Sequence, residues 1–282
     1  MLGANPGSVP RRLHSQLLSD LRCGVVVEDT VERAVGRVVE FMYENLSEQF
    51  TIDDMARTAM YSKFHFSRVF QRVTGISPGR FLSAIRLQEA KRLLVCTSLT
   101  VTDISHRVGY TSVGTFSSRF RSSVGVSPTV YRQLGGFASA VPTAWRGQGT
   151  HTSTVHGRIV APLGAASGLT FLGLFPDPIP QGAPVRCSVL HRPGPYLLTD
   201  VPPGTWYLMV SSVPPDGDPG VDCANPRGEV PNVACSGPIT VRAGTPVDQV
   251  DLRLRPIGAF DPPILMALLD LRSASLAAEA AS

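Results

Sequence analysis

The chain has 282 residues, 43% of them hydrophobic, which is enough to bury a core, and its length favours two domains over one. The net charge is only +4, but it is unevenly placed: residues 31–135 carry 14 Lys and Arg against 8 Asp and Glu, whereas 155–256 carry 7 against 8. No apolar run reaches bilayer length and the first residues lack an apolar signal core, so neither a membrane-spanning nor a secreted protein is expected, and a cytoplasmic location is.

Residues 1–30 form a weakly patterned lead-in. From Val31 a helical period takes over, with Val31, Ala34, Val35, Val38, Val39, Met42 and Leu46 at three- and four-residue steps. This predicts one amphipathic helix ending near 45–47. The next helix opens at Thr51, with Asp54 three residues on as a capping-box pair. Its partner opens at Ser62 and buries Phe66, Val69, Phe70 and Val73. Gly75 stops it in a left-handed cap. Ser77-Pro78 restarts the chain into a long helix to about Val95, with Phe81, Leu82, Ile85, Leu87, Ala90, Leu93 and Leu94 as its apolar residues.

The same devices then return. Thr100 with Asp103 caps a helix that Gly109 ends. Thr111 opens another, burying Phe116, Phe120 and Val124, and Gly125 closes it. Ser127-Pro128 starts a short helix through Leu134. Two copies of one short helical unit, with caps and stops repeated, predict a tandem helix-turn-helix domain over 31–135. Residues 136–154, rich in Gly, Ser and Thr, read as a flexible linker.

After Val155 the pattern changes to short strands punctuated by Gly and Pro, expected at 155–160, 168–174, 184–190, 195–200, 205–212, 237–241 and 247–254. They predict an antiparallel β-sandwich over 155–256. One of Trp206 and Tyr207, adjacent on a strand, should fill its core. Residues 214–236 read as a long loop. The tail 257–282 is expected to hold a short amphipathic helix with Ile264, Leu265, Leu268, Leu269 and Leu271. The fold class is therefore multidomain α plus β: an all-α tandem helix-turn-helix domain, then an antiparallel sandwich.

In a helix-turn-helix unit the second helix reads base edges in the major groove, so its outer face must be polar or small. Helix 62–73 offers Lys63, Phe64, Ser67, Arg68 and Arg72 there. Helix 111–123 offers Val113, Gly114, Thr115, Ser117, Ser118, Arg119 and Arg121. Arg68 is the leading candidate for a bidentate guanine contact. Lys63, Arg72, Arg119 and Arg121 read as phosphate neighbours, which position without specifying. Arg86 in the long helix reads equally as a structural ion pair or a phosphate contact.

The residues over 35–134 resemble the AraC/XylS-type transcription regulators. The resemblance is carried by Ile52-x-x-Met-Ala, Ser62-x-x-x-x-Ser-Arg-Val-Phe, Gly75-Ile-Ser-Pro, Arg86-Leu-x-x-Ala-x-x-Leu-Leu, Ile104-x-x-x-Val-Gly-Tyr, Phe116-Ser-Ser-Arg-Phe and Gly125-Val-Ser-Pro-x-x-Tyr-Arg. It implies two reading helices on a rigid linking helix, entering adjacent major-groove segments on one DNA face. It places base contacts at Phe64, Ser67 and Arg68, and at Val113, Gly114, Thr115, Ser117 and Ser118. Two departures stand out: the second reading helix carries small residues where members often have Gln or Arg, and the DNA-binding part precedes its companion domain instead of following it. The segment Val155-His-Gly-Arg-Ile-Val, Gly182-x-Pro-Val and Gly194-Pro-Tyr-Leu-Leu-Thr-Asp-Val-Pro-Pro-Gly-Thr-Trp-Tyr-Leu resembles a transthyretin-like or carboxypeptidase regulatory-like sandwich, which implies a non-catalytic module.

No nucleophile elbow, P-loop or dinucleotide fingerprint is present, so no catalytic residue and no cofactor is assigned. The histidines lack metal spacing, and Asp216, Asp218 and Asp222 sit among Pro and Gly as a solvated loop, so no metal is expected. Five cysteines without a CxxC suit a reduced protein, with Cys223–Cys235 and Cys187–Cys235 as candidate bridges. Double-stranded DNA is the expected partner. RNA polymerase, a small-molecule effector at the sandwich and a second copy of the chain are further candidates. The alternative is a sandwich that serves only for dimerisation or glycan binding.

Overall fold

A computed structural model describes residues 30–136, 153–162, 168–212, 231–243, 247 and 249–266. The expected lead-in, most of the linker, the Asp216–Asp222 loop and Leu268 onward lie outside them. Seven helices come first: α1 (30–44), α2 (Ile52–Thr58), α3 (Lys63–Thr74), α4 (Pro78–Cys96), α5 (Val101–Arg107), α6 (Val113–Val124) and α7 (Pro128–Gln133).

Both expected capping boxes form. The Thr51 hydroxyl accepts from the Asp54 amide while the Asp54 carboxylate accepts from the Thr51 amide at 2.7 Å, and Thr100 and Asp103 repeat the arrangement. These bonds hold both carboxyls below their ordinary range, through the Thr51 amide and hydroxyl for Asp54 and the Thr100 hydroxyl and amide for Asp103. Gly75 and Gly125 close α3 and α6 with φ of 79° and 99°. One boundary shifts: α6 is capped by Ser112, whose hydroxyl accepts from the Thr115 amide, not by Thr111. The turn before α6 is one residue longer than the turn before α3, which moves the cap along. Ser62 and Ser77 hold the N-cap positions without a side-chain cap bond.

A single apolar cluster joins the helices, from Val35 and Met42 on α1 through the apolar face of α4 to Tyr131 on α7. Each repeat contributes a relay of rings. Phe66, Phe70 and Phe81 stand edge to face with centroids 5.4 and 5.5 Å apart; Phe116, Phe120 and Tyr131 follow at 5.7 and 5.5 Å. Such pairs add about 0.5–1.5 kcal/mol each beyond their burial. α4 is therefore the shared wall on which both units are built.

The second half contains β1 (Val155–Val160), β2 (Thr170–Phe175), β3 (Arg186–Leu190), β4 (Pro195–Leu198), β5 (Gly204–Ser212), β6 (Asn232–Val241), β7 (Leu252–Arg253) and β8 (Arg255–Pro256). They form a three-stranded sheet, β4-β1-β7, and a five-stranded one, β3-β2-β5-β6-β8. Buried side chains of both sheets, among them Val155, Leu172, Leu198, Leu208, Val210 and Val241, make one apolar cluster. Trp206 packs against that cluster and its Nε1 donates to the Pro202 carbonyl at 3.0 Å. A Cβ on Gly204, at φ 156°, would meet the Trp206 ring at 2.6 Å, so this turn requires glycine.

Several expectations are corrected. β6 begins at Asn232 instead of 237, because it pairs along β5 as far as Ser212. The strand expected at 247–254 shrinks to β7, and β7 runs parallel to β1, so the pairing is not wholly antiparallel. Residues 262–266 are not helical; Pro262-Pro263 disfavours a helical start. Neither Cys187 nor Cys235 is disulfide-bonded, which removes both candidate bridges. They stand on β3 and β6, three strand spacings or roughly 14 Å apart, beyond disulfide reach. Cys96, by contrast, is disulfide-bonded.

The two halves touch through two loops of the second. Arg80 on α4 forms a bidentate pair with Asp177 at 2.9 and 3.1 Å. The Gly182 amide donates to the Ser123 carbonyl near the end of α6 at 2.7 Å. Ile179 and Leu265 are buried within the helical cluster itself.

Candidate nucleic-acid interface

α3 and α6 are each 12 residues long, each follows a tight turn and each ends at a left-handed glycine. The inward faces are as the sequence predicts. Phe66, Val69 and Phe70 are buried on α3, with Val73 half-buried; Phe116, Phe120 and Val124 are buried on α6. What these faces anchor is an outward row on each helix.

On α3 the exposed residues include Lys63, Phe64, Arg68 and Arg72, and Phe64 is 83% exposed. On α6 they include Gly114, Thr115, Ser118, Arg119 and Arg121. Val113, Ser117 and Ser67 are half-buried at the margins of these rows. The Ser67 hydroxyl donates to the Lys63 carbonyl at 2.9 Å, so toward a ligand it acts as an acceptor. Lys63 pairs with Asp53 at 3.0 Å, with both side chains about half exposed; such a pair is worth little and yields readily to another anion. Among the described residues Arg68, Arg72, Arg119 and Arg121 have no ion-pair partner. The outward faces therefore carry unneutralised guanidinium groups, with small hydroxyl residues between them on α6.

Arg86 belongs elsewhere. Its Nη2 donates to the Glu48 carbonyl at 2.6 Å and its Nη1 to the Gly109 carbonyl at 3.2 Å, while the Phe50 ring lies 5.8 Å away. Gln49 Nε2 donates to the same Gly109 carbonyl at 2.7 Å. Burial lowers the Arg86 pKa from its ordinary value. Neither an ion pair nor a phosphate contact describes it: it ties the loop after α1 and the end of α5 to the linking helix. Arg132 does similar work from α7, donating to the Leu94 and Leu99 carbonyls at 2.9 and 2.6 Å. Sequence reasoning missed this role of Arg132, since one Arg on a short helix carries no signal of carbonyl partners more than thirty residues away.

Among the described residues no group of three His, Cys, Asp or Glu could hold a metal ion, and no helix is long and apolar enough to cross a membrane.

Residues 55–134 match the family described as a helix-turn-helix domain. The transcriptional activator AarP of Providencia stuartii is 32% identical over 98 residues, which are 35% of this chain and 73% of AarP. The lactose operon transcription activator of Staphylococcus xylosus is 32% identical over 104 residues, 37% of this chain and 37% of the relative. The chain thus spans about three quarters of one relative and little more than a third of the other. Among solved structures, the DNA-binding domain of AdpA in complex with a target DNA is 33% identical, with 36% of this chain and 90% of that one covered and a TM-score of 0.35. The matched residues 55–134 extend across both repeated units and the helix between them, 73% of AarP is covered, and this chain belongs to the AraC family of helix-turn-helix transcriptional regulators.

Proposed function

We propose that residues 31–135 bind double-stranded DNA with α3 and α6 in two successive major-groove segments, and that residues 155–256 form a sandwich that senses an effector. The observation that carries the DNA reading is the pair of equivalent helices, each bearing an outward row without ion-paired arginines, fixed on one linking helix. Phe64, Ser67 and Arg68 read bases from α3. Val113, Gly114, Thr115, Ser117 and Ser118 read from α6, where small side chains permit close approach and thymine-methyl contact more than bidentate hydrogen bonding. Lys63, Arg72, Arg119 and Arg121 neutralise phosphates. α3 is the stricter reader because it holds Arg68, and the setting is the cytoplasm, with chromosomal DNA. The single apolar cluster shared by the two sheets supports the sandwich arrangement.

The test uses a duplex selected from a random library by the full-length chain. Arg68→Ala should weaken binding by about 1–3 kcal/mol, roughly 5- to 150-fold, and relax preference at one base pair. Arg119→Ala should weaken all duplexes alike and reduce the salt slope by about 1. Unchanged affinity and preference in Arg68→Ala would remove that residue from the reading role.

A further inference from the structure

The outer face of the five-stranded sheet is covered. Side chains alternate along β2 and β5, so Leu172, Leu208 and Val210 enter the core while Phe171, Met209 and Ser211 turn the other way. Over them lies the strap 257–266. Between sheet and strap is a cavity of about 60 Å³, walled mainly by Phe171, Met209, Cys235, Ile264 and Met266. Ser211 also lines it; this residue is 5% exposed and its hydroxyl has no hydrogen-bond partner among the described residues. A buried hydroxyl left unpaired is costly, so a partner at this position would be favoured. At the rim, Arg255 and Asp261 neutralise one another through two bonds, the Nη2–Oδ1 contact at 2.6 Å.

The strap has two faces. Ile264 and Met266 pack toward the sheet with Phe171 and Phe175. Leu265, between them, is fully buried in the helical cluster. The Ile264 carbonyl accepts from Lys91 Nζ on α4 at 3.0 Å, and the Leu265 amide donates to the Pro180 carbonyl at 3.1 Å. The loop holding Pro180 also reaches the end of α6 through Gly182. Whatever moves the strap against the sheet must therefore move it against the linking helix.

We propose that this cavity binds a compact, neutral, largely hydrocarbon molecule with one hydrogen-bonding group for the Ser211 hydroxyl, and that its occupancy alters DNA binding through the strap. Neutrality follows from the apolar walls and the mutually satisfied Arg255–Asp261 pair, which leaves no charge for an ionic ligand. Coupling follows from size. A cavity of roughly 150 Å³ admits benzene elsewhere, so even one ring must push the strap outward here. The coupling rests on the DNA-binding reading above; the cavity assignment does not.

The probe is phenol, added to the full chain labelled with ¹³C at its methionine methyls. The Met209 and Met266 signals should shift saturably, while Met60, far out in solvent at 83% exposure, should not. Ser211→Ala should weaken phenol binding by about fivefold, the loss of one hydrogen bond. Ser211→Leu should fill the cavity and abolish the shifts, with unchanged Met42 and Met55 signals showing that the helical core is intact. Saturating phenol should change affinity for the selected duplex by about fivefold or more in the wild type and not in Ser211→Leu. Absence of saturable shifts, or their survival in Ser211→Leu, overturns the site. Saturable shifts without a change in DNA affinity overturn the coupling. Failure of the phenol-free chain to select any duplex counts against the DNA-binding reading instead, and the methyl titration still decides the cavity.

Discussion

Residues 60 and 109 close the first helix of each repeat with the same backbone bonds: the Tyr61 amide donates to the Ala56 carbonyl and the Tyr110 amide to the Ser105 carbonyl, both at 2.9 Å. Both residues lie in the left-handed region, at φ 60° and 80°, yet one is Met and the other Gly. Strain at Met60 is about 1–2 kcal/mol, and its exposed side chain has no packing to lose. Met60→Gly forfeits part of the gain to unfolded-chain entropy, so a net stabilisation of about 0.5 kcal/mol is expected in denaturant titrations. Gly109→Ala should do the reverse and more. Its Cβ would meet the Leu46 carbonyl oxygen and come within 2.6 Å of the Arg86 guanidinium, so about 3 kcal/mol should be lost from strain and overpacking together. Gly109 as a helix stop was legible in the sequence. Its second role, making room for Arg86, was not, because that depends on residues 23 and 63 positions away.

At the scale of elements, the caps define the repeat. Thr51→Ala and Thr100→Ala should each cost about 1 kcal/mol, the usual value of an N-cap. With no shared partners, the double variant should show the sum. The acid response has a definite sign. Asp54 and Asp103 have folded pKa values below their unfolded ones, so the boxes stabilise fully above about pH 4 and lose that contribution as pH falls through the folded values. The difference between wild type and Thr51→Ala in urea titrations should accordingly shrink below pH 4; a difference that holds at pH 2 would disconnect the carboxylate from the cap. Caps were readable because a capping box is local, confined to four residues. The start of β6 and the non-helical strap were not, because pairing with β5 and burial between two surfaces decide them, and neither is encoded in neighbouring residues. Ile264 and Leu265 suit one face of a helix as well as they suit the two sides of a strap.

Across the whole molecule, composition marked the division into a basic helical half and a neutral β half, but gave no sign that the halves dock. The contacts join residues 80 to 177, 91 to 264 and 123 to 182. Lys91 is the informative one. It lies on the apolar side of α4, 7% exposed, with the Ile264 carbonyl as its Nζ partner, and burial lowers its pKa to about 8. A carbonyl offers only a partial charge in return for the lost hydration. Since the unfolded lysine keeps a pKa near 10.4, the unfolded chain binds more protons between about pH 8 and 10.4, and stability due to this residue rises with pH across that window. Lys91→Met keeps the stem and its packing while removing the titration. The unfolding free energy of the wild type minus that of Lys91→Met should therefore increase by about 3 kcal/mol from pH 7 to pH 10.5. Tyrosines titrating at the upper end cancel in the difference because they are common to both proteins. A flat difference would mean that Lys91 is hydrated and that the strap does not seal it. A rise of the expected sign would show that the interface between the halves persists in solution, as the coupling of the outer-face cavity to the reading helices requires.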